Sequence, residues 1–109
     1  MGTSILTREF FEMRIISRKK LSTFWEKHRA AEKSLRAWFH ETKIARWQNF
    51  NEIKQQYASA DVRPKNRVIF DLKGNRYRLV VKIHYNTGVV YIRFVGTHGE
   101  YDQINPDNI

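Results

Sequence analysis

The sequence has no cysteine. That excludes a disulfide scaffold, a thiolate metal site and a cysteine nucleophile, and it fits a reducing compartment. No apolar run exceeds a few residues, so no membrane span is expected, and the N-terminus offers no apolar stretch of signal-peptide length. A cytoplasmic protein is expected. Acidic residues are scarce, eleven Asp and Glu against twenty Lys and Arg, for a net charge of +9 over 109 residues. Such a charge says little about fold and much about partners, with nucleic acid the first of them. No two histidines share metal-ligand spacing on one element, and Gly96 and Gly99 form no phosphate-loop signature. Neither a metal, another cofactor nor nucleotide hydrolysis is expected.

What is present suffices for one globular domain: 41% hydrophobic and 14% aromatic residues. Residues 1–12 read as an N-terminal extension, native or a start-site artefact, ahead of a single domain at 13–109. Met13–Ser17 reads as a short strand, with Ser17 placed to cap the helix that follows. Leu21, Phe24, Trp25 and His28 recur at helical spacing. After a break near Arg29, so do Ala31, Leu35, Trp38, Phe39 and Thr42. Trp47, Phe50, Ile53 and Tyr57 form a third stripe, and Asn49 with Glu52 resembles a capping box. All three tryptophans are expected in the core. Ala58–Asn66 reads as a linker, since Pro64 cannot stand inside a helix.

Beyond the linker the period becomes two. In Arg76–Tyr85 the odd positions are Tyr77, Leu79, Val81, Ile83 and Tyr85, and the even ones are largely polar. That alternation marks a strand with one face on the core and one face wet and basic. Pairing Lys73 with Arg76 around Gly74-Asn75 sets Leu72 by Tyr77, Phe70 by Leu79 and Val68 by Val81. Pairing Tyr85 with Gly88 sets Ile83 by Val90, Val81 by Ile92 and Leu79 by Phe94. The expected fold is α+β, a short N-terminal strand and two to three helices on a three-stranded antiparallel meander. Its outer face would carry the rows Arg67–Lys82–Tyr91, Ile69–Val80–Arg93 and Asp71–Arg78–Val95. The last strand would then deliver "GTHGEYD" to the Arg78 side of that face.

This set supports metal-free RNA cleavage. Such chemistry needs a group to take the 2′-hydroxyl proton, one to protonate the leaving 5′-oxygen, and cations on the phosphorane. His98 can serve as acid or base. Arg78 and Arg93 can hold phosphate oxygens through the guanidinium fork. Lys82 adds a point charge, and Tyr91 or Tyr101 can stack on a base or donate a hydrogen bond. Lys65, Arg67, Lys73 and Arg76 extend the RNA-binding surface, and Arg14 with Arg18–Lys20 offers further contacts to ribosomal RNA. Arg78 opposite Asp71 also reads as a surface ion pair. His28, His40 and His84 read as ordinary helix or surface residues.

The stretches "RVIFDLKGN", "GNRYRLVVKIHY" and "VVYIRFVGTHGEYD" resemble the HigB branch of the RelE-type toxins of toxin–antitoxin pairs, over roughly Met13 to Asp102. The most specific parts are Gly74-Asn75 followed by Arg78, and Tyr91, His98, Tyr101 and Asp102 at fixed spacing. The resemblance implies a metal-independent mRNA interferase acting on messages in the ribosomal decoding site, silenced by a HigA-like helix-turn-helix antitoxin. It implies a phosphate contact for Arg78, proton transfer or phosphate stabilisation for His98, and cleft positions for Arg93 and Tyr101. Relatives often carry lysines on the strand before the meander's centre, where this chain has Ile69 and Asp71. The acid could therefore be Lys82, Tyr101 or no side chain. The alternative reading is a non-catalytic RNA- or ribosome-binding module on the same face.

Overall fold

A computed structural model of the protein describes residues 12–109, so the extension expected at 1–12 lies, Glu12 apart, outside the described residues. The helical stripes form α1 (Arg18–Lys27), α2 (Glu32–Ala45) and α3 (Phe50–Gln56), with a 3-10 turn at Arg29–Ala31 marking the expected break. Ser17 holds the N-cap position of α1 without a side-chain cap bond. At α3 the Asn49 side chain accepts from the Glu52 N–H, while Glu52 reaches back one residue further, to the Gln48 N–H.

The expected three-stranded meander is corrected to a five-stranded mixed sheet. Strands β1 (Arg14–Ile16), β2 (Asp61–Arg63), β3 (Arg67–Leu72), β4 (Tyr77–His84) and β5 (Val89–Thr97) lie in the order β1-β5-β4-β3-β2. The three central strands pair antiparallel in sequence order, β1 adds parallel to β5, and β2 adds antiparallel to β3. Strand β2 arises inside the segment read as a linker. Its three residues are too few to show a period.

The β3–β4 register is as expected, Leu72 by Tyr77, Phe70 by Leu79 and Val68 by Val81. The turn between them has Gly74 at φ +57 and Asn75 at φ +78, the doubly left-handed conformation favoured in two-residue hairpins. Between β4 and β5 the pairs Ile83–Val90 and Val81–Ile92 also hold, but a bulge follows. Val80 faces Phe94 and Leu79 faces Val95, instead of Leu79 facing Phe94. One extra residue, Arg93, is left in water, and every side chain beyond it changes face.

The helices cover the inner face. Trp25, Trp38 and Trp47 are buried there with Leu21, Leu35 and Ile53, and Phe70 stands at the centre of an aromatic cluster. The outer face is not wholly wet, contrary to the expectation from alternation. Ile69 and Val80 on it are 4% and 0% exposed yet do not belong to the core under the helices. After β5 the chain forms a single helical turn, α4 (His98–Tyr101), and then a strap, residues 102–109, that crosses this face. Tyr101 lies by Arg78 on β4, Asp107 reaches Arg63 on β2, and the Ile109 carbonyl accepts from Arg67 on β3. Phe94, turned outward by the bulge, packs its ring 6.3 Å from that of Tyr101.

Candidate functional site

Because of the bulge, the outer rows are Arg63–Arg67–Lys82–Tyr91, Asp61–Ile69–Val80–Phe94 and Asp71–Arg78–Gly96. The first matches expectation and gains Arg63. In the other two, Arg93 gives way to Phe94 and Val95 to Gly96, for the reason given above. Two polar clusters result, separated by the apolar residues Ile69, Val80 and Phe94 of the middle row.

The cluster around Arg78 is the more closely organised. An Arg78 Nη1 lies 3.0 Å from Asp71 Oδ1 and donates to Asn75 Oδ1 at 2.6 Å. The guanidinium also sits 5.5 Å from the centroid of the Tyr101 ring. With side chains only 11% and 21% exposed, Arg78 and Asp71 form a shielded pair rather than a surface one. Burial pushes the Asp71 carboxyl up from its usual range, and the Arg78 guanidinium offsets only part of that. The arginine is thus oriented from three sides. A fork so held keeps its shape when it meets a phosphate.

The "GTHGEYD" stretch, expected on the Arg78 side of the outer face, supplies the rest of the cluster. Its turn is fixed by a capping box: Thr97 Oγ1 accepts from the Glu100 N–H at 3.1 Å, and Glu100 Oε1 accepts from the Thr97 N–H at 2.8 Å. The His98 N–H donates to the Arg76 carbonyl at 3.0 Å, which anchors the turn to the start of β4. His98 and Tyr101 thereby stand one turn apart, and His98 Nε2 lies 3.7 Å from Asp102 Oδ2 in an exposed i,i+4 pair. Burial pushes the Tyr101 phenol up, and the nearby Arg63 and Arg78 charges work against it. The phenol therefore stays protonated at neutral pH and can donate.

Gly96 makes room for this arrangement. A Cβ there would meet Phe94 Cζ at 2.5 Å and Glu100 Oε1 at 2.9 Å, striking both the ring under Tyr101 and the cap of α4. Gly96→Ala is expected to cost about 1–3 kcal/mol of stability by overpacking. Chemical denaturation measures it, and an unchanged midpoint would contradict the close packing described.

The remaining predicted residues divide. Lys73 and Arg76 are exposed at the Arg78 end of the sheet. Lys65, Lys82 and Tyr91 belong to the opposite end, where Tyr91 packs edge-on to His84 at 5.5 Å. Lys82 stands four residues from Arg78 along β4, about 13 Å. Arg67 is buried, donating to the Lys65 carbonyl at 3.1 Å and through Nε to the Ile109 carbonyl at 2.8 Å. It pins the strap. Arg93 is exposed at the bulge. Among the N-terminal cations, Arg18 stacks on Trp25 and Phe39, and Lys20 Nζ donates to the Ile92 carbonyl at 3.4 Å.

Sequence reasoning missed Asn75 as a partner of Arg78, and Arg63 and Asp107 altogether. The signal for Asn75 was its place three residues before Arg78 in a left-handed turn. For the strap, the signal was Ile69 and Val80, two apolar residues on a face otherwise read as polar.

Among the described residues no helix is long and apolar enough to cross a membrane. Comparison with individually curated proteins finds no match. A family model, HigB_toxin, for the RelE-like toxic component of a toxin–antitoxin system, matches residues 31–104. That span holds all of β3, β4 and β5 and, within the cluster, Asp71, Arg78, His98, Tyr101 and Asp102. The chain belongs to the HigB_toxin family of RelE-like toxins, and its implied partner is an antitoxin.

Proposed function

We propose that the protein is a ribosome-dependent endoribonuclease that cleaves messenger RNA through its own 2′-hydroxyl, with residues 13–109 as the single toxin domain. One observation carries this reading: an arginine oriented by Asp71, Asn75 and Tyr101 stands beside a helical turn that presents His98. The cation, the titrating group and the protonated phenol that phosphoryl transfer needs share one end of the sheet.

In this reading Arg78 holds the non-bridging oxygens of the scissile phosphate. His98 takes the proton of the 2′-hydroxyl as that oxygen attacks phosphorus, with Asp102 steadying the imidazolium that forms. The bond to the 5′-oxygen breaks, and that oxygen leaves with a proton. Tyr101 is the better-placed donor of the two side chains considered, because it touches Arg78 while Lys82 lies about 13 Å away along the strand. The products are a 2′,3′-cyclic phosphate and a 5′-hydroxyl. Arg76 and Lys73 bind flanking phosphates at the same end, while Lys65, Lys82, Tyr91 and Arg93 contact RNA further along. A HigA-like helix-turn-helix protein is the antitoxin, and the toxin works in the cytoplasm, where translating ribosomes are.

The test compares wild type with His98→Ala on purified, programmed ribosomes and on free RNA. Cleavage is expected only on ribosomes, and His98→Ala is expected to lower its rate by about 10²–10⁴-fold, the range for a lost general acid or base. Undiminished cleavage by His98→Ala would remove His98 from the proton transfer. Ribosome binding by wild type without any cleavage would favour a non-catalytic RNA-binding module.

A further inference from the structure

The helical layer carries a cleft of about 420 Å³ between α1 and α2, lined by Arg18, Trp25, Arg36, Ala37, Phe39 and His40. It lies on the other side of the sheet from Arg78, because both helices pack on the inner face. Trp25, 3% exposed, and half-buried Phe39 are its apolar part. The rest is charged and exposed. The Arg18 guanidinium sits 5.2 Å from the centroid of the Trp25 ring and 5.5 Å from that of Phe39. The Arg36 guanidinium sits 4.6 Å from Trp25, and His40 follows one turn later on the same side of α2.

Two arginines gathered over one ring are oriented before any partner arrives. A guanidinium over an aromatic face keeps its N–H edges for oxygen acceptors. Arg36 is held further by Glu32, whose Oε2 accepts from Nε at 2.7 Å. Its terminal nitrogens, and all of Arg18, have no acceptor among the described residues. Glu32 is also shared with Arg29 at 3.5 Å, so one carboxylate leaves the group positive. Trp25 is buried under these cations, which leaves no ring face for a nucleobase. The cleft fits an oxyanion.

We propose that this cleft binds the phosphodiester backbone of ribosomal RNA, with Arg18 and Arg36 as its phosphate ligands and His40 at its rim. The identity of the RNA rests on the ribosome-dependent reading above. RNA fits better than an acidic protein segment, because it carries its charge in an unbroken row and the net charge of +9 draws such a polyanion. The chain then meets RNA on two sides, the message at Arg78 and the ribosome at the cleft. A free message supplies only the first contact, which is a physical reason for cleavage confined to ribosomes.

Vacant ribosomes, which carry no message, separate this binding from cleavage. Arg18→Gln and Arg36→Gln are each expected to weaken binding of the full chain to them roughly tenfold at low salt. Each is also expected to flatten the slope of log affinity against log salt by about 1, the mark of one lost phosphate contact. A merely structural role would weaken binding alike at every salt concentration. Arg18→Lys keeps the charge and is expected to restore the slope. A second measurement needs no variant: phenylglyoxal modification of the wild-type chain, read residue by residue by mass spectrometry. Vacant ribosomes are expected to protect Arg18 and Arg36, and polyglutamate at the same salt to protect them less.

Flattened slopes together with protection by ribosomes establish the site. Unchanged slopes in both variants, or modification undiminished by ribosomes, overturn it. Protection by polyglutamate as strong as by ribosomes also overturns it, in favour of an acidic protein partner. Message cleavage by the same proteins separates the two claims. Flattened slopes with intact messages leave the cleft standing and remove the nuclease, whereas cleaved messages with unchanged slopes do the reverse.

Discussion

Arg78→Ala is expected to lower ribosome-dependent message cleavage by about 10²–10³-fold, the effect of removing one preorganised donor from a developing anion. The size follows from how the side chain is held. Asp71 at 3.0 Å, Asn75 at 2.6 Å and the Tyr101 ring fix the guanidinium before any substrate arrives, so little reorganisation is left for the reaction to supply. Arg78→Lys is expected to recover only a small part, since an ammonium cannot reproduce the planar fork. The alanine variant also leaves Asp71 half-buried without its cation, so its rate is compared at a temperature where circular dichroism shows it folded. A rate within tenfold of wild type would place the essential cation elsewhere.

Phe70→Ala is expected to cost about 3–5 kcal/mol of stability, the range for deleting a large aromatic from a closed core. Phe70 is 0% exposed, and its ring lies 5.4 Å from Trp38, 5.9 Å from Trp47 and 5.1 Å from Tyr57. Those three rings come from α2, the segment before α3, and the residue that ends α3. One side chain on β3 thus ties two helices to the sheet. Urea denaturation followed by tryptophan fluorescence measures the loss, since two of the three tryptophans report from that cluster. A cost below about 1 kcal/mol would mean that the cluster repacks, contrary to the account given.

These two residues were legible for different reasons. Phe70 and the tryptophans follow from period alone: apolar residues at helical spacing upstream and on every second position of β3 and β4 leave one arrangement that buries them all. Arg78 followed from the same alternation, which put it on the outer face opposite Asp71. Where the reasoning stopped is equally physical. A bulge carries no sequence mark when its extra residue is an ordinary arginine, so Arg93 was carried one position too far along an otherwise sound register. Once that slip is made, Phe94 turns inward, Gly96 loses its purpose, and the outer face looks more basic than it is. Strand β2 is shorter than any period can show, and β1 joins β5 across most of the chain. The clamp between Arg63 and Asp107 spans 44 positions and is one exposed ion pair among many possible ones.

The site residues read from sequence accordingly fall into two groups. Arg78, His98 and Tyr101 meet because β4, β5 and a capped turn converge at one end of the sheet. Lys65, Arg67, Lys82 and Tyr91 share the other end, past Ile69 and Val80. Two buried apolar residues on a supposedly wet face were the clue that something covers it. What covers it is the strap, and Arg67 serves to hold that strap.

The measurement closest to the central claim is the fate of a message on programmed ribosomes incubated with the purified chain, with the ends of any fragments identified. Fragments that appear only on ribosomes, end in a 2′,3′-cyclic phosphate and disappear when the scissile nucleotide is 2′-deoxy are the predicted result. Intact messages on ribosomes that the folded protein binds, or cleavage indifferent to the 2′-hydroxyl, would contradict it.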